Sequence, residues 1–416
     1  MPCPLDDINP FDPAVMADPW DYYRQLREEA PVYRHPATGL YMVSSHALVS
    51  QAVKDHEVFS SRFAPAMGGG RDRMAPEVRE LAKEGYPVVD TMLTADPPEH
   101  HRYRGLVNKA FTLRRVNALE EEVQGIANGL VEGFAGQGHV ELVSRFAQPL
   151  PLTVIAGQLG VPRTDLPKLR RWTDGFVAQL GGMASREKQV EAQRLILEFQ
   201  RYFAQILEAR AREPKDDIVS DIVHARLEGE RSLELGESLS ILQQLLVAGN
   251  ETTASAIAEG MWLLCRNPDQ MQHVYGDPQL IPGLVEEVLR LATPTGNMWR
   301  VTTKDVVLGG VEIPAGSMVI LRFAAANRDP EVFPDPERMD VERPNLDEHL
   351  AFGKGIHFCL GAMLARKEMN VAFHTLLHGQ AGLGGWRLAR DAAPCHHPNM
   401  LLWGLDALPL EFEARS

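Results

Sequence analysis

Cysteine is scarce in this sequence. The 416 residues contain four cysteines, Cys3, Cys265, Cys359 and Cys395, and no two of them form a C-x-x-C pair. Such wide spacing indicates neither a structural zinc site nor a disulfide scaffold. It favours a reducing compartment, and we expect a cytoplasmic location.

Long apolar runs and an excess of positive charge are also missing. No stretch reaches the roughly 18 consecutive apolar residues of a membrane-spanning helix, and no secretory signal opens the chain. There are 42 Lys and Arg against 56 Asp and Glu, which gives a formal net charge of -14. A chain this acidic lacks the basic footprint of a general nucleic-acid binder. We therefore expect a soluble protein with no membrane anchor and no nucleic-acid partner.

The composition that is present belongs to an ordered globular protein. The chain has 34 Gly and 29 Pro, well short of low-complexity composition, and 44% of its residues are hydrophobic. Length alone suggests two or three domains, although single folds of this size exist.

Helical periodicity dominates residues 100–275, where apolar side chains recur every three or four residues. Short strand-like pieces flank the turn at residues 36–39 and appear again after residue 300. The sequence predicts a mainly α protein with small β-sheets (α+β), one near the N-terminus and a second after residue 300. Between Phe63 and Gly85 the glycine-rich sequence predicts a long mobile loop with one short helix.

A long helix is predicted from Gly236 to Arg266, and Ala248, Gly249 and Asn250 interrupt its apolar pattern. A glycine there has two interpretations. It can mark a close helix crossing. Alternatively, the acid Glu251 and the alcohol Thr252, which follow it in an otherwise apolar stretch, could relay protons.

The most specific pattern surrounds one cysteine. Phe352, Gly353, His357, Cys359 and Gly361 form a glycine-rich turn that leads into an apolar helical segment. This pattern resembles the haem-binding segment of the cytochrome P-450 family, and other segments follow in that family's order over nearly the whole chain. The resemblance implies a single haem-thiolate monooxygenase domain over residues 1–416. It also implies the P-450 fold, with haem between the long distal helix and the proximal cysteine loop.

By this resemblance the cofactor is haem b (iron protoporphyrin IX), and Cys359 is its axial thiolate ligand. A helix N-terminus and nearby backbone N–H groups stabilise a thiolate, and Gly353 and Gly361 let the backbone approach the sulfur. Phe352 is expected to shield the sulfur from water. Cys265, on an apolar helix, is expected to be an inert buried thiol.

By resemblance, four residues are expected to hold the haem propionates as cations or hydrogen-bond donors. His100 and Arg104 share one helix face because they are four residues apart, whereas Arg300 belongs to a strand and His357 to the cysteine loop. Arginine suits this role because its planar fork matches a carboxylate.

Glu287 and Arg290 match the family's Glu-x-x-Arg motif. The motif is weak by itself, since Glu191 and Arg194 have the same spacing, and position in the chain selects the first pair. By resemblance, Arg343 joins them in a partly buried ion pair that holds the cysteine loop in place.

The family's reaction is reductive activation of dioxygen and insertion of one oxygen atom into a C–H bond, with Glu251 and Thr252 delivering protons. The expected substrate is a hydrophobic small molecule such as a terpenoid or steroid. Apolar or small residues favour such a ligand, and the candidate pocket residues by family position are Ala248, Thr295, Gly296, Asn297 and Leu401.

Alternatives stay open at this point. They are a haem-thiolate peroxygenase or isomerase, a polyketide or aromatic tailoring hydroxylase, and a non-catalytic haem sensor or carrier. The first and the last would not need the acid and alcohol of the long helix.

The sequence contains no flavin or iron–sulfur motif, so electrons are expected from a [2Fe-2S] or similar ferredoxin with an NAD(P)H-dependent reductase. We expect a monomer whose ferredoxin-facing surface is basic; the residues expected there are Arg102, Lys109, Arg114, Arg115, Lys354, Arg366 and Lys367. His396 and His397 can contact a polar group or face solvent, and we expect solvent.

Overall fold

Helices make up most of the chain in the computed structural model, which describes residues 4–63, 75–180 and 185–414. Within these ranges the α-helices are α1 (Pro13–Ala17), α2 (Trp20–Glu29), α3 (His46–Lys54), α4 (Pro76–Ala82), α5 (Glu99–Val107), α6 (Leu113–Ala118), α7 (Glu120–Glu132), α8 (Pro149–Gln158), α9 (Leu166–Leu180), α10 (Arg186–Arg212), α11 (Ile218–His224), α12 (Leu235–Arg266), α13 (Pro268–Gly276), α14 (Ile281–Ala292), α15 (Phe323–Ala326) and α16 (Ala362–His378). The expected short helix of the Phe63–Gly85 segment is α4, while residues 64–74 of that segment lie outside the described residues.

The strands are short, and all of them except β4 lie before residue 61 or after residue 297. They are β1 (Val32–Arg34), β2 (Tyr41–Val43), β3 (Phe59–Ser60), β4 (His139–Glu141), β5 (Met298–Thr302), β6 (Val306–Leu308), β7 (Val311–Ile313), β8 (Met318–Leu321), β9 (Leu383–Leu388) and β10 (Pro409–Ala414). The mainly α fold with small sheets is therefore confirmed.

The strands combine differently from the prediction of two separate sheets. The hairpin of β1 and β2 forms as predicted, but β2 also pairs in parallel with β8, with Tyr41 opposite Val319. The result is one five-stranded sheet in the order β1-β2-β8-β5-β3, beside a three-stranded sheet β4-β10-β9 and the hairpin of β6 and β7. The expectation of a separate N-terminal sheet is wrong, because a parallel partner so distant in sequence leaves no local signal.

The main sheet packs on α3. Val43, Val319 and Leu321 from the strands share a buried hydrophobic cluster with Val49 and Val53 of α3. This packing places the C-terminal end of α3 against the cysteine loop, because a Cβ built on Gly355 would lie 3.2 Å from the carbonyl oxygen of Val53.

Two compact units can be distinguished. One comprises residues up to Phe59, Asn117–Pro151 and the chain from Glu251 onward, and it contains the strands β4 to β10 together with α14 and α16. The other comprises Ser60–Val116 and Leu152–Asn250, and it contains α10 and α11. The single domain over residues 1–416 stays a prediction.

The long helix α12 is continuous from Leu235 to Arg266, so the predicted interruption does not break it. Gly249 permits a close approach, since a Cβ there would lie 3.3 Å from the Ile155 side chain of α8. Further along, a Cβ on Gly260 would lie 2.3 Å from the ring of Phe373 in α16. The helix that follows the cysteine loop therefore packs directly on α12 at a glycine.

Candidate haem-thiolate site

The cysteine loop runs from Phe352 to Gly361 and ends where α16 begins. Gly353 and Gly355 have φ values of 66° and 71°, a left-handed region that costs other residues about 1–2 kcal/mol. These turns bring the backbone N–H of Cys359 within 2.9 Å of the carbonyl oxygen of Phe352, to which it donates. The glycines therefore shape a tight loop around one half-buried cysteine.

The thiol lies beside a helix N-terminus. Gly361 caps α16, whose first residue is Ala362, and the Ala365 N–H donates to the Gly361 carbonyl at 2.9 Å. The first N–H groups of a helix lack intrahelical acceptors, and the helix dipole is positive at this end. Cys359 thus stands where an anionic sulfur is stabilised, as a thiolate ligand requires.

An ion-pair cluster lies beside the cysteine loop, and the sequence interpretation missed it. Arg366 of α16 donates to Glu286 of α14 through Nε (2.6 Å) and Nη2 (2.8 Å). His349 Nε2 lies 3.0 Å from the same carboxylate, and the Arg366 guanidinium lies 4.5 Å from the centre of the Phe352 ring. Burial raises the pKa of Glu286, but the hydrogen bonds from Arg366 and His349 lower it more strongly, to about 2. The cluster therefore fixes Phe352, whose carbonyl accepts from Cys359.

A second, fully buried ion pair lies on the same helix. Glu287 accepts from Arg290 Nε at 2.7 Å and Nη2 at 2.8 Å, and neither side chain is exposed to solvent. Arg343 Nε lies 3.6 Å from Glu287 Oε1. Arg290 also donates to the carbonyls of Asn327 and Pro336, so the pair joins α14 to the irregular segment that precedes the cysteine loop.

The expected propionate ligands occupy both units. In one, Arg300 lies on β5, is 3% exposed, and donates through Nη1 to the Trp299 carbonyl at 2.7 Å. His357 ends the short 3₁₀ turn Gly355–His357 inside the cysteine loop. In the other, His100 and Arg104 follow one another along a face of α5, with His100 1% exposed. Within the described ranges no group of three or more His, Cys, Asp or Glu has a metal-site arrangement.

The acid and alcohol of α12 are both half-buried. The Glu251 carbonyl accepts from the Ser255 hydroxyl at 2.9 Å, one turn further along the helix. The preceding Asn250 is 3% exposed and donates from Nδ2 to Thr173 Oγ1 at 3.0 Å and to the Leu246 carbonyl at 2.9 Å. Asn250 therefore anchors the helix just before the polar pair, a role that its sequence context did not predict.

Four of the five candidate pocket residues come together. Thr295 forms an isolated β-bridge with Leu402, and the Gly296 N–H donates to the Leu401 carbonyl at 3.2 Å. Asn297 Nδ2 donates to the Met400 carbonyl at 2.7 Å. The fifth, Ala248, lies exposed on the apolar helix α12. A small cavity of about 20 Å³ adjoins this wall, lined among others by Gly296, Asn297 and Leu401.

Most residues of the expected basic surface are already paired with acids. Lys367 lies 2.6 Å from Glu120 Oε2, and Lys354 lies 3.5 Å from Glu348 Oε2. Arg366 belongs to the Glu286 cluster described above, and Arg115 pairs with Asp221. Lys109 and Arg114 are exposed. The positive charge of these elements is thus largely compensated by neighbouring carboxylates.

Arg102 is a further exception to the expected surface. It donates through Nη1 to Glu237 Oε1 at 2.9 Å, and the Tyr103 hydroxyl donates to the same oxygen at 2.8 Å. Burial raises the pKa of Glu237, and hydrogen bonds from Arg231, Arg102 and Tyr103 lower it more, to about 2. Arg102 is therefore an internal structural cation, and its assignment to a docking face is wrong.

The structure bears on the expectations for one cysteine and two histidines. Cys265 is half-buried rather than buried, and the raised pKa of its thiol, about 12 because of desolvation, is in keeping with the inert role that stays a prediction. His396, by contrast, does not face solvent: its side chain is 9% exposed and pairs with Glu259 at 2.8 Å. His397 is exposed, as expected.

A helix-rich fold with small sheets, in which a glycine-turned loop presents one cysteine at a helix N-terminus, defines a haem-thiolate protein. The family model named Cytochrome P450 matches residues 183–379. The chain is 35% identical over 418 residues to the cytochrome P450 monooxygenase PikC of Streptomyces venezuelae, covering 98% of this chain and 94% of that relative. The chain therefore belongs to the cytochrome P450 family of monooxygenases, whose cofactor is haem b with an axial cysteine thiolate.

Solved structures agree with this assignment. The cytochrome P450 CYP109Q5 from Chondromyces apiculatus is similar with a TM-score of 0.86 and 35% identity, covering 99% of this chain and 100% of that one. CYP109E1 from Bacillus megaterium, solved in complex with testosterone, is similar with a TM-score of 0.81 and 29% identity over 95% of this chain and 99% of that one. None of the helices in the described ranges combines the length and hydrophobicity that a bilayer crossing requires.

Proposed function

We propose that this monooxygenase inserts one atom of dioxygen into a C–H bond of a hydrophobic small molecule, a terpenoid, a steroid or a related compound. The observation that carries the proposal is the cysteine loop. In it the Cys359 N–H is bonded to the Phe352 carbonyl at 2.9 Å, immediately before the N-terminus of α16.

In this proposal Cys359 Sγ is the axial ligand of the cofactor. Haem b with a thiolate ligand, when bound, supplies the reductive activation of dioxygen. The residues fit such a group, because the loop places an anionic sulfur at a positive helix end and Arg300 supplies a buried cation for a propionate. His100, Arg104 and His357 are the other proposed propionate donors, and the Phe352 ring limits the access of water to the sulfur.

Glu251 and Thr252 are the proposed proton-delivery residues. Their half-buried positions suit groups that exchange protons with water. The bonds of Asn250 to Thr173 and to the Leu246 carbonyl support this role by holding the preceding turn in place. We propose that the Thr252 hydroxyl donates a proton that dioxygen activation consumes. The Glu251 carboxyl then returns a proton to that hydroxyl.

The proposed substrate class rests on the pocket wall and on a relative. Gly296 and Leu401 are small or apolar, Thr295 and Asn297 add few polar groups, and a ligand held here is recognised mainly by shape. A structurally similar member of the family binds testosterone, an apolar steroid. The ferredoxin and NAD(P)H-dependent reductase remain the proposed electron source, with the exposed Lys109 and Arg114 as candidate contacts. The monomeric state and the cytoplasmic location also stay predictions.

An isotope experiment tests this proposal. The haem-loaded chain, supplied with a [2Fe-2S] ferredoxin, its reductase and NADPH, is screened against steroids and terpenoids by the spin-state shift of its absorption spectrum. Ligands that give the shift are then turned over under ¹⁸O-labelled dioxygen. We expect a product that carries one labelled oxygen atom. Product oxygen derived from water, or product formed only with added peroxide, would contradict the proposal.

A further inference from the structure

The C-terminal segment contributes to a buried histidine–carboxylate contact that the proposed function does not use. His396 Nε2 lies 2.8 Å from Glu259 Oε1, and the two side chains are 9% and 2% exposed. Glu259 belongs to α12, two helical turns beyond Glu251, on the helix that carries the proposed proton-delivery residues. A hydrogen-bonded pair this deeply buried fixes the position of both elements that supply it, because separating it leaves two buried polar groups without a partner.

Aromatic rings surround the histidine and define its orientation. The His396 ring stacks on Trp403 with centroids 3.9 Å apart and an interplanar angle of 20°. Trp262 of α12 meets the same ring edge-on at 5.3 Å, and Trp403 in turn packs edge-on against Trp20 at 5.2 Å. His396 is thus held by a carboxylate and two indole rings, a more specific environment than packing alone requires.

The loop between residues 395 and 406 closes on itself and on α12. The His397 N–H donates to the Gly404 carbonyl at 3.1 Å, and the Asp406 N–H donates to the Cys395 carbonyl at 3.0 Å. A Cβ on Gly404 would lie 2.3 Å from the Ser255 hydroxyl, so the loop backbone rests directly on α12. Ser255 donates to the Glu251 carbonyl, and the loop therefore approaches the helix within one turn of the proposed proton-delivery residue.

The opposite side of the loop is hydrogen-bonded to the residues that precede β5. The Trp403 N–H donates to the Pro294 carbonyl at 2.7 Å, and Asn297 Nδ2 donates to the Met400 carbonyl at 2.7 Å. The residues between these attachments are Met400, Leu401 and Leu402. They lie between the hydrogen bonds to Pro294 and Asn297 on one side and the Glu259–His396 pair on the other.

We propose that the Glu259–His396 pair positions the substrate pocket: it holds the residues from Met400 to Leu402 at a set distance from the Glu251 turn of α12 and so determines which ligands fit. His396 and Glu259 are positioning residues that act through Leu401. The inference rests on the proposed function in one respect, the assignment of Leu401 to the substrate pocket.

The test compares His396→Phe with His397→Phe in the haem-loaded full chain. Phenylalanine keeps a ring on Trp403 but cannot bond to Glu259, and the control changes the neighbouring exposed histidine in the same way. Two quantities are measured: hydrogen exchange of the backbone amides in the 396–406 segment, and optical titration with 4-phenylimidazole and with imidazole. Both probes coordinate haem iron, and only the first carries a bulky group into the pocket.

In His396→Phe we expect the amides of the segment to exchange at least about tenfold faster than in the control, because a buried carboxylate has lost its partner. We expect the affinity for 4-phenylimidazole to fall by about the same factor and that for imidazole to change by less than about twofold. Exchange and 4-phenylimidazole affinity equal to those of His397→Phe would overturn the proposal.

Two further variants keep the test decisive. Should His396→Phe fail to fold, Glu259→Gln removes the charge at constant shape, and unchanged exchange and affinity in that variant overturn the proposal equally. His396→Gln, which retains a donor for Glu259, is expected to restore at least half of the lost protection. Failure of the proposed function gives a different result: the wild type then lacks the absorption spectrum of a thiolate-ligated haem. The comparison of amide exchange between His396→Phe and His397→Phe still tests the role of the pair in that case.

Discussion

The buried Glu287 provides the sharpest stability prediction, because every group that it contacts is defined. Its carboxylate accepts from Arg290 Nε at 2.7 Å and Nη2 at 2.8 Å and from the Asp340 N–H at 2.9 Å, and Arg343 lies 3.6 Å away. Glu287→Gln keeps the shape of the side chain but removes the charge from beside two buried guanidinium groups. Two charge-assisted hydrogen bonds of about 1.5–3 kcal/mol each are weakened or lost. This sum agrees with the cost of about 3–5 kcal/mol for breaking a buried pair.

Urea unfolding followed by far-ultraviolet circular dichroism measures the effect. The matched control is Glu191→Gln, which alters the same Glu-x-x-Arg spacing where both side chains are exposed, and which is expected to change the free energy of unfolding by less than about 0.5 kcal/mol. We expect a loss of about 3–5 kcal/mol for Glu287→Gln. A loss below about 1 kcal/mol, or one equal to that of the control, would refute the reasoning.

Three other predictions concern the proton pair, the Glu286 cluster and the glycine turn. Thr252→Ala is expected to keep consuming NADPH but to release peroxide in place of product, whereas Thr253→Ala leaves the product yield per NADPH unchanged; equal yields in both variants would remove Thr252 from its role. Because the pKa of Glu286 falls from 4.5 to about 2 on folding, its ion pairs stabilise the protein above pH 4.5 and are lost as the pH falls toward 2. Glu286→Gln should therefore flatten the acid-unfolding curve in that window, and an unaltered slope would contradict the assignment. Gly355→Ala, at a φ of 71°, is expected to cost about 1–2 kcal/mol in urea unfolding, while Gly125→Ala inside α7 is expected to be neutral or stabilising; a neutral Gly355→Ala would be the contrary result.

Features that depend on residues close together in the sequence were predictable, because their own side chains and backbone preferences determine them. The apolar repeat of α12 and its end at Asn267 and Pro268 follow from helix periodicity and from the missing N–H of proline. The β1–β2 hairpin follows from two short strands around a turn. The cysteine loop was recognisable in part because Gly353 and Gly355 occupy positions where φ is positive, and such requirements leave a trace in a single sequence.

Features made by distant partners were not predictable in the same way. The parallel pairing of β2 with β8 joins Tyr41 to Val319, and neither strand carries a mark of the other. Glu286 binds Arg366 and His349 from two separate segments, so its role emerges only when three elements meet. His396 was expected to face solvent because its polar partner, Glu259 of α12, lies more than 130 residues away in the sequence.

Ligation by Cys359 is the central claim, and the absorption spectrum of the reduced, carbon-monoxide-bound protein tests it most directly. The wild type is predicted to show the strongly red-shifted Soret band of a thiolate-ligated haem. Cys359→His, which retains an iron-ligating side chain, is predicted to lose that band. Cys265→Ala is predicted to keep it, because Cys265 is half-buried on α12 and its thiol pKa is raised to about 12 by desolvation. A wild type without the red-shifted band, or a Cys359→His variant that retains it, would contradict the account.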